Sequence, residues 1–555
     1  MSSRPLLEIK NLNVSFKNNQ VLHNVNITIP KGKVVAVVGE SGSGKSVTSL
    51  SLLRLLPKSA QVNGSIEFSS ENSTINILGL SGNEIRQLRG DKISMIFQEP
   101  MTSLNPVITC GKQVAEVLML HRNMSRQEAK KVVIELFRQV HLPQPEKLYK
   151  RFPHEISGGQ KQRIMIAMAM SCHPDLLICD EPTTALDVNV QKEILSLIKE
   201  LQQKNEMSVI FISHDLNLVA EIADYITVLY KGNIVEQDSV ENIFTRPQHP
   251  YTKALLACHP ELYDKTQKLP VVSDFLEKEN VIIEQIPPFK VYDEVILSIQ
   301  DVSVSYPVKK NMLGKITQYN HAVKHVSFDV YKGETLGLVG GSGCGKTTLG
   351  RAVIGLVKTD NGKIFFKGKD LSVMPATDKK ALSKDIQFIF QDPYSSLNPQ
   401  VKIGDAIAEP LLLHKLYSKD AVKSIVKEWL EKVGLSADFY NRYPHEFSGG
   451  QRQRIVIARA LALNPSFVIC DESVSALDVS VQAQVLNLLN DLKREIGFSS
   501  IFISHDLSVV KYVSDRIVVM NKGVIEETGK TEEVYYNPKS KYTKLLLSAL
   551  PKKEF

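Results

Sequence analysis

Two glycine-rich segments combine residue types at a spacing that suits the binding of phosphate groups. Residues 39–46 read Gly-Glu-Ser-Gly-Ser-Gly-Lys-Ser, and residues 340–347 read Gly-Gly-Ser-Gly-Cys-Gly-Lys-Thr. Both fit the pattern Gly-x4-Gly-Lys-Ser/Thr, in which glycines let backbone N–H groups turn toward the β- and γ-phosphates of a nucleotide. Lys45 and Lys346 are placed to add a positive charge. The pattern therefore predicts two nucleotide sites.

The last residue of each segment carries a hydroxyl group that suits a Mg²⁺ ion. Ser46 and Thr347 hold this position, and a hydroxyl there coordinates the magnesium that accompanies the phosphates. An apolar run precedes each segment, at residues 34–38 and 335–339, as expected for a buried parallel strand that leads into a helix N-terminus. The residues predicted to bind nucleotide here are Gly39, Glu40, Ser41, Gly42, Ser43, Gly44, Lys45 and Ser46, and Gly340, Gly341, Ser342, Gly343, Cys344, Gly345, Lys346 and Thr347.

Two further apolar runs end in adjacent carboxylates. Residues 176–179 lead into Asp180 and Glu181, and a matching run leads into Asp471 and Glu472. The carboxyl ends of strands lie at the ligand-binding edge of an open α/β sheet. There the aspartates suit the Mg²⁺ shell, whereas the glutamates can orient or deprotonate an attacking water. The pairs therefore predict two sites of phosphate hydrolysis.

These motifs belong to an internal duplication of the chain. Residues 151–160, which contain Ser-Gly-Gly-Gln, recur at residues 442–451, and the Ser-His-Asp at residues 213–215 recurs at residues 504–506. Both pairs are 291 residues apart, as are the two Asp-Glu pairs. A period of this length is too long for a solenoid repeat and indicates two duplicated domains.

Composition excludes several other classes of protein. The 555 residues carry a net charge of +7 without blocks of Lys or Arg, which argues against nucleic acid as a partner. No run of about 18 apolar residues is present to span a bilayer, and no apolar signal-peptide core follows the start. The six cysteines lack zinc-type spacing and are predicted to be free thiols in a reducing compartment. The chain is expected in the cytosol unless a partner holds it to a membrane.

The order of these motifs, twice over, resembles the nucleotide-binding domain of ABC transporters. The resemblance covers residues 5–260 and 295–550, and residues 261–294, with mixed charge and two adjacent prolines, are predicted to form a linker. It implies an α/β fold with two P-loop NTPase domains. Each domain would have a RecA-like core, an antiparallel β subdomain and an α-helical subdomain, and the cofactors would be ATP and Mg²⁺.

The resemblance also assigns residues outside the glycine-rich loops. In the family, Ser-Gly-Gly-Gln of one domain lies across the ATP from the loop of the other, so residues 157–160 would close on ATP held by Lys346. Likewise, residues 448–451 would close on ATP held by Lys45. The signature residues are Ser157, Gly158, Gly159 and Gln160, and Ser448, Gly449, Gly450 and Gln451.

Four further pairs are carried over from the family. Gln98 and Gln391 would sense Mg²⁺ and water, and His214 and His505 would contact the γ-phosphate. Asp187 and Asp478 would couple the two sites, and Phe16 and Tyr306 would stack on adenine. Strand packing is the alternative for the last pair. Ile156 and Phe447 replace the usual Leu before the signature, and Ser473 stands where the first copy has Pro182. None of these departures affects a phosphate-binding group, so both sites are expected to hydrolyse ATP.

The transported solute is predicted from weaker resemblances. Residues 98–106, 391–399 and 247–252, and more loosely residues 541–543, resemble segments of dipeptide and oligopeptide importers. The fused arrangement is similar to the ATPases of glutathione- and microcin-type peptide importers. Nickel or another small solute is the alternative. A soluble tandem ABC protein acting on the ribosome is a further alternative, although the linker lacks the Arg-rich helix usual there. With only Cys258 near residues 247–252, no iron–sulfur cluster is predicted.

The resemblance implies partners and a location. We expect two integral-membrane permease subunits and, indirectly, a periplasmic or extracellular solute-binding protein, with no nucleic acid. The two halves are expected to pair head to tail, and the chain to lie peripherally on the cytoplasmic face of the bacterial inner membrane. A capping box at Ser125 and Glu128 predicts a helix in the insertion that, in the family, receives the permease.

One cysteine is predicted to be reactive. Cys344 lies in the second glycine-rich loop, just before a predicted helix N-terminus. A thiol in such a position tends to have a lowered pKa and to react readily. Its alternative role is that of a small filler residue.

Overall fold

The computed structural model describes residues 4–17, 19–70, 73–98, 103–183, 186–278, 281–310, 316–475 and 477–548. These residues form two compact units. The first comprises the described residues of Met1–Leu256 and Val272–Glu279, and the second comprises those of Ala257–Val271 and Asn280–Leu550. The predicted domain limits of 5–260 and 295–550 remain predictions.

The described residues of the first unit form the following strands and α-helices. The strands are β1 (Leu7–Phe16), β2 (Asn19–Ile29), β3 (Val34–Val38), β4 (Ala60–Ser69), β5 (Thr74–Asn76), β6 (Ile93–Ile96), β7 (Leu176–Asp180), β8 (Ser208–Ser213), β9 (Tyr225–Tyr230) and β10 (Asn233–Ser239). The helices are α1 (Lys45–Leu52), α2 (Gly82–Leu88), α3 (Cys110–Arg122), α4 (Arg126–Gln139), α5 (Pro145–Leu148), α6 (Gly158–Met170), α7 (Val188–Asn205), α8 (Leu216–Ile222), α9 (Val240–Thr245), α10 (Pro250–Ala257) and α11 (Val272–Glu277).

Two sheets organise the first unit. An antiparallel sheet has the order β2-β1-β4-β5, and a six-stranded sheet has the order β10-β9-β3-β8-β7-β6. In the larger sheet the pairs formed by β3, β6, β7, β8 and β9 are parallel, and only β10 pairs antiparallel. Strands β3, β7 and β8 are buried along their whole length because parallel strands are covered on both faces. Their apolar runs were therefore read correctly as strands.

The second unit repeats this arrangement. Its strands are β11 (Val295–Lys310), β12 (Ile316–Tyr331), β13 (Thr335–Val339), β14 (Asn361–Phe366), β15 (Lys369–Asp370), β16 (Ile386–Ile389), β17 (Phe467–Asp471), β18 (Ser499–Ser504), β19 (Arg516–Asn521) and β20 (Val524–Lys530). Its helices are α12 (Lys346–Val353), α13 (Ala376–Asp385), α14 (Pro393–Ser396), α15 (Ile403–Leu413), α16 (Lys419–Lys432), α17 (Gly449–Leu461), α18 (Val479–Ile496), α19 (Leu507–Val513), α20 (Thr531–Tyr536) and α21 (Lys541–Ser548).

The sheets of the second unit have the orders β12-β11-β14-β15 and β16-β17-β18-β13-β19-β20. Read from β20 to β16, the six-stranded sheet has the same order of equivalent strands as the six-stranded sheet of the first unit. The α/β class, the parallel core and the antiparallel sheet predicted for each half are therefore confirmed. The capping box that begins α4 is confirmed as well, since Glu128 N donates to Ser125 Oγ and Ser125 N donates to the Glu128 carboxylate.

Residues 257–271, here called the strap, pack within the second unit although they follow the last core helix of the first. Asn487 on α18 exchanges two hydrogen bonds with the Leu269 backbone, at 3.1 and 2.7 Å. The Tyr512 hydroxyl donates to Gln267 O at 2.9 Å, and Lys265 forms a 2.6 Å ion pair with Asp515. In the part of the chain that the structure describes, no helix has the length and apolar character needed to cross a membrane.

Candidate functional site

Each glycine-rich loop joins the central strand of a parallel sheet to a helix. In the first unit the loop follows β3 and ends where α1 begins at Lys45. Gly39 has a φ of +154°, and a Cβ there would lie 2.1 Å from Leu229 O on β9. Gly340 has a φ of +155°, with the same 2.1 Å approach to Met520 O. Only glycine permits this tight turn, which leads the backbone to the helix N-terminus, where N–H groups can bind an anion.

The lysine at each helix start turns back over its own loop. Lys45 Nζ donates to Gly39 O at 2.7 Å and to Glu40 O at 2.9 Å. Lys346 Nζ makes the equivalent bonds, to Gly340 O at 2.8 Å and to Gly341 O at 3.1 Å. Both lysines are 4% exposed. A buried ammonium group at a helix N-terminus forms a strong site for phosphate.

The hydroxyl that ends each loop meets the aspartate that ends a strand. Ser46 Oγ donates to Asp180 Oδ1 at 3.1 Å, and Thr347 Oγ1 donates to Asp471 Oδ1 at 2.9 Å. Burial raises the pKa of Asp180 to about 6 and also raises the pKa of Asp471. These are oxygen donors of the kind that Mg²⁺ prefers, so the residues fit a magnesium site.

The glutamate after each aspartate is contacted by a glutamine and a histidine side chain from two other parts of the unit. Glu181 Oε2 accepts a 3.0 Å hydrogen bond from Gln98 Nε2 and lies 3.5 Å from His214 Nδ1. In the second unit, Glu472 Oε2 accepts from Gln391 Nε2 at 2.8 Å and lies 3.3 Å from His505 Nδ1. The structure thus brings together the residues that the sequence singled out for hydrolysis.

Both glutamates have an unusual backbone conformation. Glu181 and Glu472 each have a φ of +46°, in the left-handed region that non-glycine residues rarely adopt. Such conformations concentrate at functional sites, where the surrounding structure holds them. Glu181 N and Glu472 N each donate to the penultimate residue of the adjacent strand, to Ile212 O at 3.1 Å and Ile503 O at 2.9 Å. The turn directs each carboxylate toward the Gln and the His, which the sequence alone did not show.

The glutamate and histidine of the second unit influence each other's protonation. Burial opposes ionisation of Glu472, but the hydrogen bond from His505 and the charges of His505 and Lys346 hold its pKa below the ordinary value. Burial likewise opposes the charged form of His505, and the contact with Glu472 raises its pKa overall. The glutamate is therefore kept as an anion, the form that can accept a proton from water.

The signature residues lie at exposed helix N-termini. Ser157 caps α6, where its Oγ accepts from Gln160 N at 3.3 Å, and Ser448 caps α17, where its Oγ accepts from Gln451 N at 3.4 Å. The Gly pair that follows each serine forms the first turn of the helix. Both ends are suited to bind an anion. Their assignment to a nucleotide remains a prediction.

The remaining sequence-predicted residues lie on the edges of these elements. Asp187 caps α7 by accepting from Val190 N at 3.1 Å, and Asp478 holds the same position before α18. Phe16 ends β1 and packs, half-buried, against the core. Tyr306 is 38% exposed on β11 and lines a cavity with residues 356–360. Coupling by Asp187 and Asp478 and adenine stacking by Phe16 and Tyr306 remain predictions.

Two tyrosines to which the sequence assigned no individual role contact the glycine-rich loops. The Tyr251 hydroxyl accepts a 2.9 Å hydrogen bond from Glu40 N, and the Tyr542 hydroxyl accepts one of 2.9 Å from Gly341 N. Both contacts reach the glycine-rich loops from helices near the end of each unit. A signal was available, because the two Tyr-Thr pairs are separated by the same 291 residues as the hydrolysis motifs.

The lowered pKa predicted for the Cys344 thiol was wrong. Its side chain is 5% exposed, and burial raises the pKa of the thiol rather than lowering it. The helix N-terminus and Lys346, whose Nζ lies 3.9 Å from the sulfur, are not sufficient to offset this burial. Cys344 therefore acts as a small packing residue under the loop.

We expect the thiols of the folded chain to react slowly. All six cysteines are buried, and a buried thiol is protected from reagents in solution. In a DTNB assay, essentially none of the six should react rapidly under native conditions, whereas all six should react in denaturant. Rapid labelling of one thiol that disappears in Cys344→Ser would instead restore the reactive-cysteine hypothesis.

Comparison with known proteins gives consistent matches along the chain. The profile of the family described as "ABC transporter" matches residues 22–184 and 323–475. A second profile, "Oligopeptide/dipeptide transporter, C-terminal region", matches residues 235–279 and 526–554. The glutathione import ATP-binding protein GsiA of Shigella boydii is 48% identical over 98% of this chain and 89% of its own length. The protein of that name from Escherichia coli K12 is 47% identical with the same coverage.

Among solved structures, cbiO1 from Clostridium perfringens, part of the ABC transporter complex cbiONQ, is similar to part of the chain. The match is 25% identical, covers 44% of this chain and 92% of that protein, and has a TM-score of 0.38.

Proposed function

Because the chain belongs to the ABC transporter family, we propose that it hydrolyses ATP to drive the import of small peptides or peptide-like solutes through a separate membrane permease. The ATPase activity is that of the family. The observation that carries the solute class is the match of both C-terminal regions to the oligopeptide/dipeptide transporter profile. The 48% identity to a glutathione import ATP-binding protein supports it over nearly the whole chain.

In the first unit, different residues bind the phosphates, hold the metal ion and activate the water. Lys45 and the N–H groups at the start of α1 bind the phosphates, and Ser46 and Asp180 would hold Mg²⁺, which would supply positive charge to the phosphates. Glu181, which accepts a hydrogen bond from Gln98 and lies 3.5 Å from His214, orients the water that attacks the γ-phosphate and accepts its proton.

The second unit carries out the same steps with its own residues. Lys346 takes the place of Lys45, Thr347 and Asp471 would hold Mg²⁺, and Glu472 acts on the water with Gln391 and His505. The matching distances in the two units support hydrolysis at both sites.

We further propose that each nucleotide is shared between the halves of the chain. The capped N-termini at Ser157 and Ser448 would close on the nucleotides held by Lys346 and Lys45, respectively. Their exposure and helix-end geometry support this role. The partners would be two permease subunits and a solute-binding protein, with the chain peripheral to the cytoplasmic face of the bacterial inner membrane.

The proposed function predicts dependence on membrane partners. The purified chain should hydrolyse ATP but transport nothing, because the pathway for the solute lies in the permease. Uptake of labelled glutathione or a dipeptide should be measured in proteoliposomes with the chain alone, with the permease alone, and with both plus the binding protein. Only the complete set should give ATP-dependent uptake. Uptake by the chain alone would refute the proposal.

A further inference from the structure

We propose that Tyr251 and Tyr542 are positioning residues for ATP binding. The hydroxyl of each accepts a hydrogen bond from the N–H of the peptide whose C=O holds the loop lysine. The inference rests on the proposed function only in that both loops bind ATP. It gives a role to the C-terminal element of each unit, defined here as residues 233–256 in the first unit and residues 524–548 in the second.

In the first unit, one peptide group is held from both of its polar ends. Its N–H belongs to Glu40 and donates to the Tyr251 hydroxyl at 2.9 Å. Its C=O belongs to Gly39 and accepts from Lys45 Nζ at 2.7 Å. Since the peptide is planar, fixing the N–H also fixes the direction of the C=O. The tyrosine therefore sets the acceptor that places the lysine.

The second unit repeats this contact with different neighbouring residues. Gly341 N donates to the Tyr542 hydroxyl at 2.9 Å, and Gly340 O accepts from Lys346 Nζ at 2.8 Å. The residue that supplies the N–H is a glutamate in one unit and a glycine in the other, so its side chain does not determine the contact. Both units have the tyrosine hydroxyl as the acceptor of this N–H and the same orientation of the peptide.

The loop needs such support because of its first glycine. Gly39 and Gly340 lie outside both the strand and the helix, at φ values that only glycine adopts readily. A peptide beside glycine can rotate at little steric cost, so its orientation must come from hydrogen bonds. If the hydroxyl were removed, the N–H would lose this acceptor in a partly buried site, and the C=O would hold the lysine less firmly.

Each tyrosine is anchored to the large sheet through the turn before its helix. The Glu236 carboxylate on β10 accepts from Gln248 N at 2.8 Å and from His249 N at 3.1 Å. His249 Nδ1 then accepts from Tyr251 N at 3.1 Å. The Tyr251 ring is fully buried and lies 4.2 Å, centroid to centroid, from the Tyr230 ring at the end of β9.

The same anchor is present in the second unit. The Glu527 carboxylate on β20 accepts from Lys539 N at 2.8 Å and from Ser540 N at 3.0 Å. Here Ser540 Oγ, rather than a histidine nitrogen, accepts from Tyr542 N at 3.1 Å. A carboxylate, a side-chain cap and a tyrosine therefore connect the edge of each large sheet to its nucleotide loop.

The test is the pair of variants Tyr251→Phe and Tyr542→Phe, made singly and together in the full chain. Phenylalanine keeps the ring and its packing but removes the hydroxyl. A neutral hydrogen bond contributes about 0.5–1.5 kcal/mol, which corresponds to roughly a 2- to 10-fold change in affinity. In the double variant we expect the KM for ATP and the Kd of a fluorescent ATP analogue to rise by that factor. The kcat should stay within about twofold of the value for the unmodified chain, because the hydrogen bond contributes equally to ground-state and transition-state binding.

Thr252→Val and Thr543→Val are the matched controls. Both threonines are fully buried and directly follow the tyrosines, so each control also removes one hydroxyl from the same helix. They should leave KM unchanged. Melting temperatures should be recorded for all variants, because a purely structural role would lower the melting temperature and kcat while leaving KM where it was.

Two outcomes would overturn the inference. One is an unchanged KM and Kd in the double tyrosine variant, and the other is an equal rise in the threonine controls. Either result would leave the proposed function intact, provided that the unmodified chain binds and hydrolyses ATP. Failure of the unmodified chain to bind ATP would overturn the proposed function and this inference together.

Discussion

Glu181→Gln should lower ATP hydrolysis by the intact chain to far less than half, and Glu472→Gln should do the same. Removing a general base costs about 10²–10⁴-fold in its own step, or roughly 3–5 kcal/mol of barrier. If the sites were independent, one intact glutamate would preserve about half of the activity. We expect coupling because each nucleotide is proposed to lie between both halves, so an uncleaved ATP at one site prevents the other from opening.

Nucleotide binding should survive these substitutions. Neither glutamate is among the groups that hold the phosphates in the proposed mechanism, and Gln retains one oxygen that can accept from Gln98 or Gln391. Steady-state ATPase rates and the amount of trapped nucleotide should be measured for both variants. Glu200→Gln, at an exposed position on α7, is the control and should behave as the unmodified chain does. Two half-active enzymes would refute coupling, and a fully active variant would show that its altered site does not drive turnover.

Lys45→Ala and Lys346→Ala should each greatly weaken ATP binding at the altered site. Both ammonium groups are buried at a helix N-terminus, and losing one partner of a buried charged contact typically costs about 2–5 kcal/mol. That corresponds to roughly 30- to several-thousand-fold in affinity. Titration with a fluorescent ATP analogue should therefore give one tight site in each single variant and none in the double variant.

The lysine variants have matched controls in each unit. Lys33 and Lys332 also precede a central strand, but their ammonium groups are exposed and form ion pairs with Asp224 and Glu294 at 2.9 and 2.8 Å. Such exposed pairs contribute little, so Lys33→Ala and Lys332→Ala should retain both sites. Tight binding at both sites in Lys45→Ala would contradict the assignment of this lysine to phosphate.

The hydrolysis residues could be predicted because each follows directly from a strand. Once residues 176–179 are read as a buried parallel strand, the position of Asp180 at the sheet edge follows, and the same reasoning places the loop of residues 39–46. The positive φ of Glu181 could not be predicted in this way. It depends on the contact of its N–H with the neighbouring strand, which local sequence does not specify.

Residues whose role depends on distant packing were not predictable from spacing. Cys344 lies at a helix N-terminus in sequence, but its pKa is set by the burial that the folded sheet imposes. Tyr251 lies more than 200 residues from the loop that it contacts. The Tyr-Thr repeat could indicate that these residues matter in both halves, but only the fold shows that the hydroxyl reaches the nucleotide loop.

The strap bears on any attempt to express the halves of this protein as separate polypeptides. Among the described residues, the chain contributes 257–271 to the second unit, then 272–278 to the first, and returns to the second from residue 281. A single break in the gene therefore cannot yield two fragments that each contain a complete unit. A second fragment that began after the strap would lose the backbone groups that pair with Asn487 and Tyr512. A break after residue 256 would keep the strap with the second unit but would separate residues 272–278 from the first unit, to which they belong. Fusion of the two halves is consequently part of how the first unit is completed, in addition to fixing their ratio at one to one.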